Sequence, residues 1–284
     1  METVNDVRTS RPAPVLAPFV EHYLGYRMFG HAPGLHRGLP SAHMTFIVAI
    51  GPSIDVVRQI HATQAPASYR CVVGGLQAGP AMIAHNGNQE GVGIGLTPLG
   101  ARALFGMPAR ELSNLAVELT DVVGRVGDEL AERLHLVDTW PDRFAVCDDV
   151  LGRLLREELV VPELRRSWEL LVTSSGAMPV TELASEVGWT RQHLGRRFGD
   201  EFGLSPKLAA RVIRFSRART MLQLTPSFIS IAQVAAACGY YDQAHLDRDF
   251  NEFAGCSPSR WMAEEELPIF QDGEELTPSS FDHD

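Results

Sequence analysis

One pattern occurs twice between residues 179 and 261, and it constrains this chain more than any other feature. The first copy reads Leu183-Ala184, then Gly188, then His193-Leu194-x-Arg196-x-Phe198, and closes with Gly203-x-Ser205-Pro206. The second reads Val234-Ala235, then Gly239, then His245-Leu246-x-Arg248-x-Phe250, and closes with Gly255-x-Ser257-Pro258. The offset is 51 residues up to the glycine and 52 beyond it. Repetition at such a period marks a duplicated supersecondary unit.

Each copy predicts two helices joined by a tight turn. A short helix over 181–187 or 231–238 ends at Gly188 or Gly239, where left-handed backbone suits glycine. The second helix starts at Thr190 or Asp242, both good N-caps, and Ser230 with Gln233 fits a capping box ahead of the second unit. Leu194, Phe198 and Phe202 share one face of the second helix, as do Leu246, Phe250 and Phe253 in the other copy. The opposite faces hold Gln192, Gly195, Arg196 and Gly199, and then Gln243, Ala244, Asp247, Arg248 and Asn251. Arg bonds guanine bidentately and Gln bonds adenine, so these faces suit base edges in a major groove.

The stretch resembles the DNA-binding domain of AraC/XylS-type transcriptional regulators, in which two helix-turn-helix units are joined by one long helix. The matching residues include both repeat copies, Phe202-Gly203, Arg211, Arg214, Ala218, Leu222, Ile231-Ala232, Gly239-Tyr240 and Asp242-Gln243. They cover roughly 100 of the 284 residues. Carried over by position, the resemblance implies DNA contacts from Thr190, Arg191, Gln192, Gly195 and Arg196 in the first unit. In the second it implies Gln243, Ala244, Asp247 and Arg248, and on the joining helix it implies Arg211, at a phosphate. Two positions depart from the pattern: Gly195 has no side chain to read with, and Asp247 brings a negative charge to DNA. The implied function is an effector-responsive, sequence-specific regulator whose two recognition helices enter successive major-groove segments about 34 Å apart. Implied partners are double-stranded DNA, RNA polymerase, a small-molecule effector at the N-terminal domain and a second copy in a homodimer.

A net charge of −10 looks wrong for such a protein until it is divided. Residues 1–164 carry 13 basic against 18 acidic side chains, and residues 263–284 carry 8 acids and no base. Residues 165–262 carry 12 basic against 9 acidic, so the positive excess lies where the repeats are. The expected division is 1–160 for an N-terminal sensor or dimerisation domain, 161–262 for the DNA-binding domain, and 263–284 for an acidic, disordered tail. No apolar run approaches 18 residues and the start lacks a signal-peptide core, which predicts a cytoplasmic protein without a membrane segment. Lys207 is the only lysine, and with abundant Ala, Gly and Val this suggests a GC-rich bacterial source.

The expected fold class is α+β, with a small β-barrel-like N-terminal domain, flanking helices and an all-α C-terminal domain. Residues 1–14, polar with two prolines, read as mobile, and the spacing of Leu16, Phe19, Val20, Tyr23 and Leu24 reads as a helix. β-like runs follow at 26–29, 44–50, 54–60, 70–73, 81–85 and 92–96, then helical stretches at 99–105, 128–136 and 142–158. The segment from Leu39-Pro40-Ser41 through Gly74 to Phe105-Gly106 resembles a group of sensor domains found in such regulators.

Enzymatic readings find little footing. His22, His31, His36, His43 and His61 show no HxH pair, and a metal site needs ligands facing one cavity with a carboxylate nearby. Cys71, Cys147, Cys238 and Cys256 lack metal or disulfide spacing. Gly74-Gly75 and Gly91-x-Gly93-x-Gly95 lack the context of phosphate loops. No metal, cofactor or catalytic group is therefore expected. The alternative is an enzyme or alkyl-transfer repair protein using the module for DNA delivery. That would need clustered cysteines in the N-terminal part, where only Cys71 and Cys147 occur.

Overall fold

The computed structural model describes residues 3–156, 160–224 and 229–264; the acidic tail expected at 263–284 lies outside them from residue 265 onward. The first part contains ten strands: β1 (Val4–Ser10), β2 (Val20–Phe29), β3 (Gly34–Gly38), β4 (Thr45–Ala49), β5 (Ile54–Arg58), β6 (Ala67–Tyr69), β7 (Cys71–Gly74), β8 (Ala81–His85), β9 (Gln89–Leu96) and β10 (Ala116–Glu118). They form two antiparallel sheets, ordered β1-β2-β9-β4-β7-β10 and β3-β8-β5-β6. The expected β-rich domain is there, as two sheets rather than a closed barrel. Ala49 and Val72 of the larger sheet bury against Ile54, Val56, Tyr69 and Ala81 of the smaller one.

Two expectations near the start are corrected. Residues 4–10 are not mobile: β1 pairs with β2 in continuous register from Val4 opposite Phe29 to Ser10 opposite Tyr23. Asp6 accepts a hydrogen bond from Trp140 Nε1 at 2.8 Å, and Asp148 accepts one from the Ala13 backbone at 2.7 Å. β1 is an edge strand without a buried residue, so no apolar alternation marks it in the sequence. The expected helix from Leu16 to Leu24 is one turn followed by β2. Both faces of β2 are buried, with Tyr23 stacked on Phe144 at 5.8 Å and Leu24 lining the cavity between the sheets. Apolar residues on both faces of a strand mimic helical spacing.

Helices α1 (Leu119–Val123), α2 (Arg125–His135) and α3 (Trp140–Leu154) cover the outer face of the larger sheet. Thr139 caps α3 by accepting from the Asp142 backbone at 3.3 Å. Trp140 packs so closely over Gly25 that a Cβ there would lie 2.4 Å from its ring. Only glycine fits beneath that indole.

The second part is all helical: α4 (Pro162–Thr173), α5 (Val180–Glu186), α6 (Arg191–Phe202), α7 (Pro206–Leu224), α8 (Ile231–Ala237), α9 (Gln243–Phe253) and α10 (Pro258–Glu264). Its core is aromatic. Trp168 contacts Phe198 and Phe202, while Phe215 contacts Phe250 and Phe253, all six buried. Truncating one such phenylalanine to alanine costs about 3–5 kcal/mol.

The two parts are docked. Leu39, Leu76 and Leu99 join the buried cluster of the helical part. Arg102 Nε meets Glu201 at 2.7 Å, Arg110 meets Asp200 at 3.3 Å, and Arg37 meets Glu264 at 2.6 Å.

Candidate nucleic-acid interface

The two repeat copies build the same local machine. After α5 and α8 come Gly188 at φ +69° and Gly239 at φ +74°, left-handed positions that any side chain would strain. Thr190 and Asp242 then cap α6 and α9, accepting from the backbone of His193 at 3.2 Å and of His245 at 2.7 Å. The Ser230–Gln233 capping box is formed in full. His193 packs edge-on against Trp189 at 4.6 Å, and His245 against Tyr240 at 5.1 Å. Each histidine thus braces the turn beneath its helix.

With Leu194, Phe198 and Phe202 buried on α6, the other side of that helix faces outward. Thr190, Arg191, Gln192 and Arg196 are exposed there. Gly195 lies among them, and a Cβ added to it would meet nothing within 4 Å. On α9 Leu246, Phe250 and Phe253 are buried, while Gln243, Ala244 and Arg248 are exposed and Asp247 is half-buried. Arg248 Nε donates to the Ala244 carbonyl at 3.1 Å, which lays its side chain along the helix. The structure therefore gathers nine of the ten expected contact residues on two outward helix faces.

Arg211 is the exception, turned toward α9 rather than solvent. Its guanidinium bonds Asp249 at 2.7 Å and Glu252 at 2.5 Å and lies 4.9 Å from the Phe253 ring centre. The Glu252 bond, with the Asp249 bond beside it, raises its pKa against the opposing effect of burial. Asp249 is itself 2% exposed. On the same helix Arg219 is buried and Arg214 lies over the Tyr240 ring at 5.5 Å, which leaves Arg217 as its exposed arginine.

The β-rich part holds a cavity of about 130 Å³ between its sheets, lined mostly by apolar residues such as Leu24, Met28, Ile54, Val56 and Ile94, with polar members among which are His22, His36, His43 and Gln77. Sequence spacing missed one cluster beside it. Glu21, His22 and His43 place their ligand-type atoms within 4.8 Å of one another. Cys71 and Cys147 are both buried, and burial pushes each thiol well above its ordinary pKa. Thiols held protonated and out of solvent are poor nucleophiles. Among the described residues no helix is long and apolar enough to cross a membrane.

Comparison with known proteins places these features. Residues 183–264 match a helix-turn-helix domain family, and residues 8–118 match a domain family of unknown function. The chain is 26% identical over 117 residues to the HTH-type transcriptional regulator MtrA of Neisseria gonorrhoeae, covering 41% of this chain and 34% of that protein. It thus spans about a third of that relative's length. An AraC-type DNA-binding protein of Chromobacterium violaceum is 26% identical across 38% of this chain and 96% of its own, with a TM-score of 0.34. ToxT of Vibrio cholerae shares the fold across 92% of this chain and 98% of its own, at 12% identity and a TM-score of 0.50. With paired helix-turn-helix units behind a two-sheet domain, the chain is similar to AraC/XylS-type transcriptional regulators, and residues 183–264 carry a helix-turn-helix domain of that type.

Proposed function

We propose that this regulator reads two successive major-groove segments, one with α6 and one with α9, and that its β-rich part takes a small effector. The observation that carries the reading is the pair of matching helix faces, Arg191-Gln192-Arg196 and Gln243-Ala244-Arg248, exposed on equally braced helices. Arg and Gln supply the donor pairs that guanine and adenine accept. The second face is poorer: Ala244 offers only a methyl group and Asp247 repels phosphate, so α6 carries the larger share of specificity. We place the working boundary between the parts at residues 160 and 161. The apolar cavity supports a small, mostly apolar effector with one polar end, since its lining offers few polar groups. The buried thiols of Cys71 and Cys147 support a non-enzymatic role. The modest basic excess of residues 165–262 favours binding as a dimer, in which two weak electrostatic footprints add.

A genome-wide binding map with the purified full chain supplies the operator, and footprinting on that operator tests the reading. Two protected major-groove segments about 34 Å apart on one side of the duplex are expected per protomer. Protection of one segment only would overturn readout by both helices.

A further inference from the structure

Strand β2 contains a bulge whose consequence reaches beyond the sheet. Its pairing with β9 steps from Val20 opposite Leu96 to Tyr23 opposite Ile94, three residues on one strand against two on the other. In a regular strand Glu21 and His22 would point to opposite faces. A bulge re-aims side chains, and here it brings both to one spot. His43 reaches the same spot from a turn pinned by Ser41, whose hydroxyl accepts from the His43 backbone at 3.0 Å. The His22 and His43 rings stand edge to face with centroids 5.5 Å apart, and His43 Nε2 contacts the Glu21 carboxylate. Gly95 makes room for the arrangement: a Cβ there would lie 2.3 Å from His22 Cε1.

The cluster's place in the molecule is as telling as its composition. His22 and His43 line the apolar cavity of the β-rich part. Glu21 and His43 also line a crevice whose other wall is Arg165, Trp168 and Glu169 of α4 with Arg217 of α7. One small group of side chains therefore borders both the cavity and the helical part.

We propose that Glu21, His22 and His43 bind one divalent transition-metal ion, with zinc as the reference ion. Two imidazoles and one carboxylate form a three-ligand set of the kind that leaves a fourth position to water or to another donor. Imidazole selects zinc, nickel or copper over magnesium and calcium, which prefer oxygen-only shells. One carboxylate against a doubly charged ion leaves a local excess of one positive charge at the cavity wall. The fourth position therefore suits the anionic or neutral donor end of a small organic molecule.

The test uses the full chain, stripped of metal with a chelator and titrated with zinc by calorimetry and with cobalt by visible absorption. Binding is read without DNA, so failure here leaves the DNA reading standing. One equivalent with cobalt ligand-field bands is expected. His22→Gln and His43→Gln should each weaken binding on the order of 100-fold, and Glu21→Gln about 10-fold, the upper and lower ends of the range seen for losing groups that support a bound metal. His61→Gln, an exposed histidine outside the cluster, serves as the control and should change nothing. Should buried His22→Gln fail to fold, exposed Glu21→Gln still decides, with circular dichroism checking its fold. No zinc uptake would overturn the assignment and leave Glu21 and His43 as a hydrogen-bonded pair. Cobalt bands unchanged in both His43→Gln and Glu21→Gln would overturn it as well.

Discussion

Arg211 of α7 and Asp249 of α9 are joined at 2.7 Å around a carboxylate that is 2% exposed, so α7 grips α9 through a charge pair whose acidic half is out of water. A pair of this kind is dangerous to break from one side, because the surviving charge stays buried and uncompensated. Arg211→Ala should therefore destabilise the protein by about 3–5 kcal/mol. Urea denaturation measures this. A variant of unchanged stability whose DNA binding showed a salt slope lower by about 1 would instead put Arg211 on a phosphate.

Arg196 and Arg248 occupy equal places in the repeat, yet their surroundings differ. Arg196→Ala should cost about 1–3 kcal/mol on the operator and relax preference at one base position. Arg248→Ala should cost less, since Arg248 is laid against its own helix and sits beside Asp247. Salt titrations against operator and scrambled duplex separate the two effects. An unchanged ratio of specific to non-specific affinity in Arg196→Ala would remove α6 from direct readout and turn attention to DNA shape.

Gly195 lies within α6 with open space around its missing side chain. Glycine inside a helix costs about 0.5–1 kcal/mol relative to alanine. Gly195→Ala should melt higher for that reason. It should also bind the operator less tightly if a base edge approaches the bare backbone. Higher melting with undiminished operator affinity would place residue 195 away from the groove.

Glu90 predicts a pH dependence on the acid side. Burial alone would raise its pKa, but hydrogen bonds from Arg27 and Arg143, both at 2.7 Å, lower it below the usual glutamate range. A carboxyl whose folded pKa is depressed adds stability above its unfolded pKa of about 4.3 and loses it as pH falls through the folded value. Arg143 is 4% exposed, so Glu90→Gln would leave a buried cation without its partner. Wild type should exceed Glu90→Gln most near neutral pH, with the gap closing below about pH 4. A gap independent of pH would remove Glu90 as its source.

What the sequence made legible was local. The helix-turn-helix units could be read from the repeat because each rests on contacts three or four residues apart, on Thr190 and Asp242 as caps, and on the glycines of the turns. β2, β4, β5, β7, β8 and β9 overlapped apolar runs, while β1, β3, β6 and β10 did not. These four are short or edge strands: β1 has no buried residue, and β3 is Gly-Leu-His-Arg-Gly. The role of Arg211 was hidden because Asp249 stands 38 residues away and on another helix. Glu21, His22 and His43 were hidden for a different reason, since only a bulge lets adjacent strand residues share a target.

The bonds from Arg102 and Arg110 to Glu201 and Asp200 hold α6 at its last turn, whereas the residues proposed to read bases lie at the other end. A helix of 12 residues is about 18 Å long. Held through those bonds at its last turn, it acts as a lever whose far end magnifies a tilt at its root. A tilt of about 10° at the clamp carries the tip roughly 3 Å, close to the 3.4 Å rise between base pairs. Leu194 buries that far end in the core, so a rearrangement in the β-rich part that tilted α6 would carry the packed first helix-turn-helix unit with it and shift Gln192 by about the spacing of one base pair.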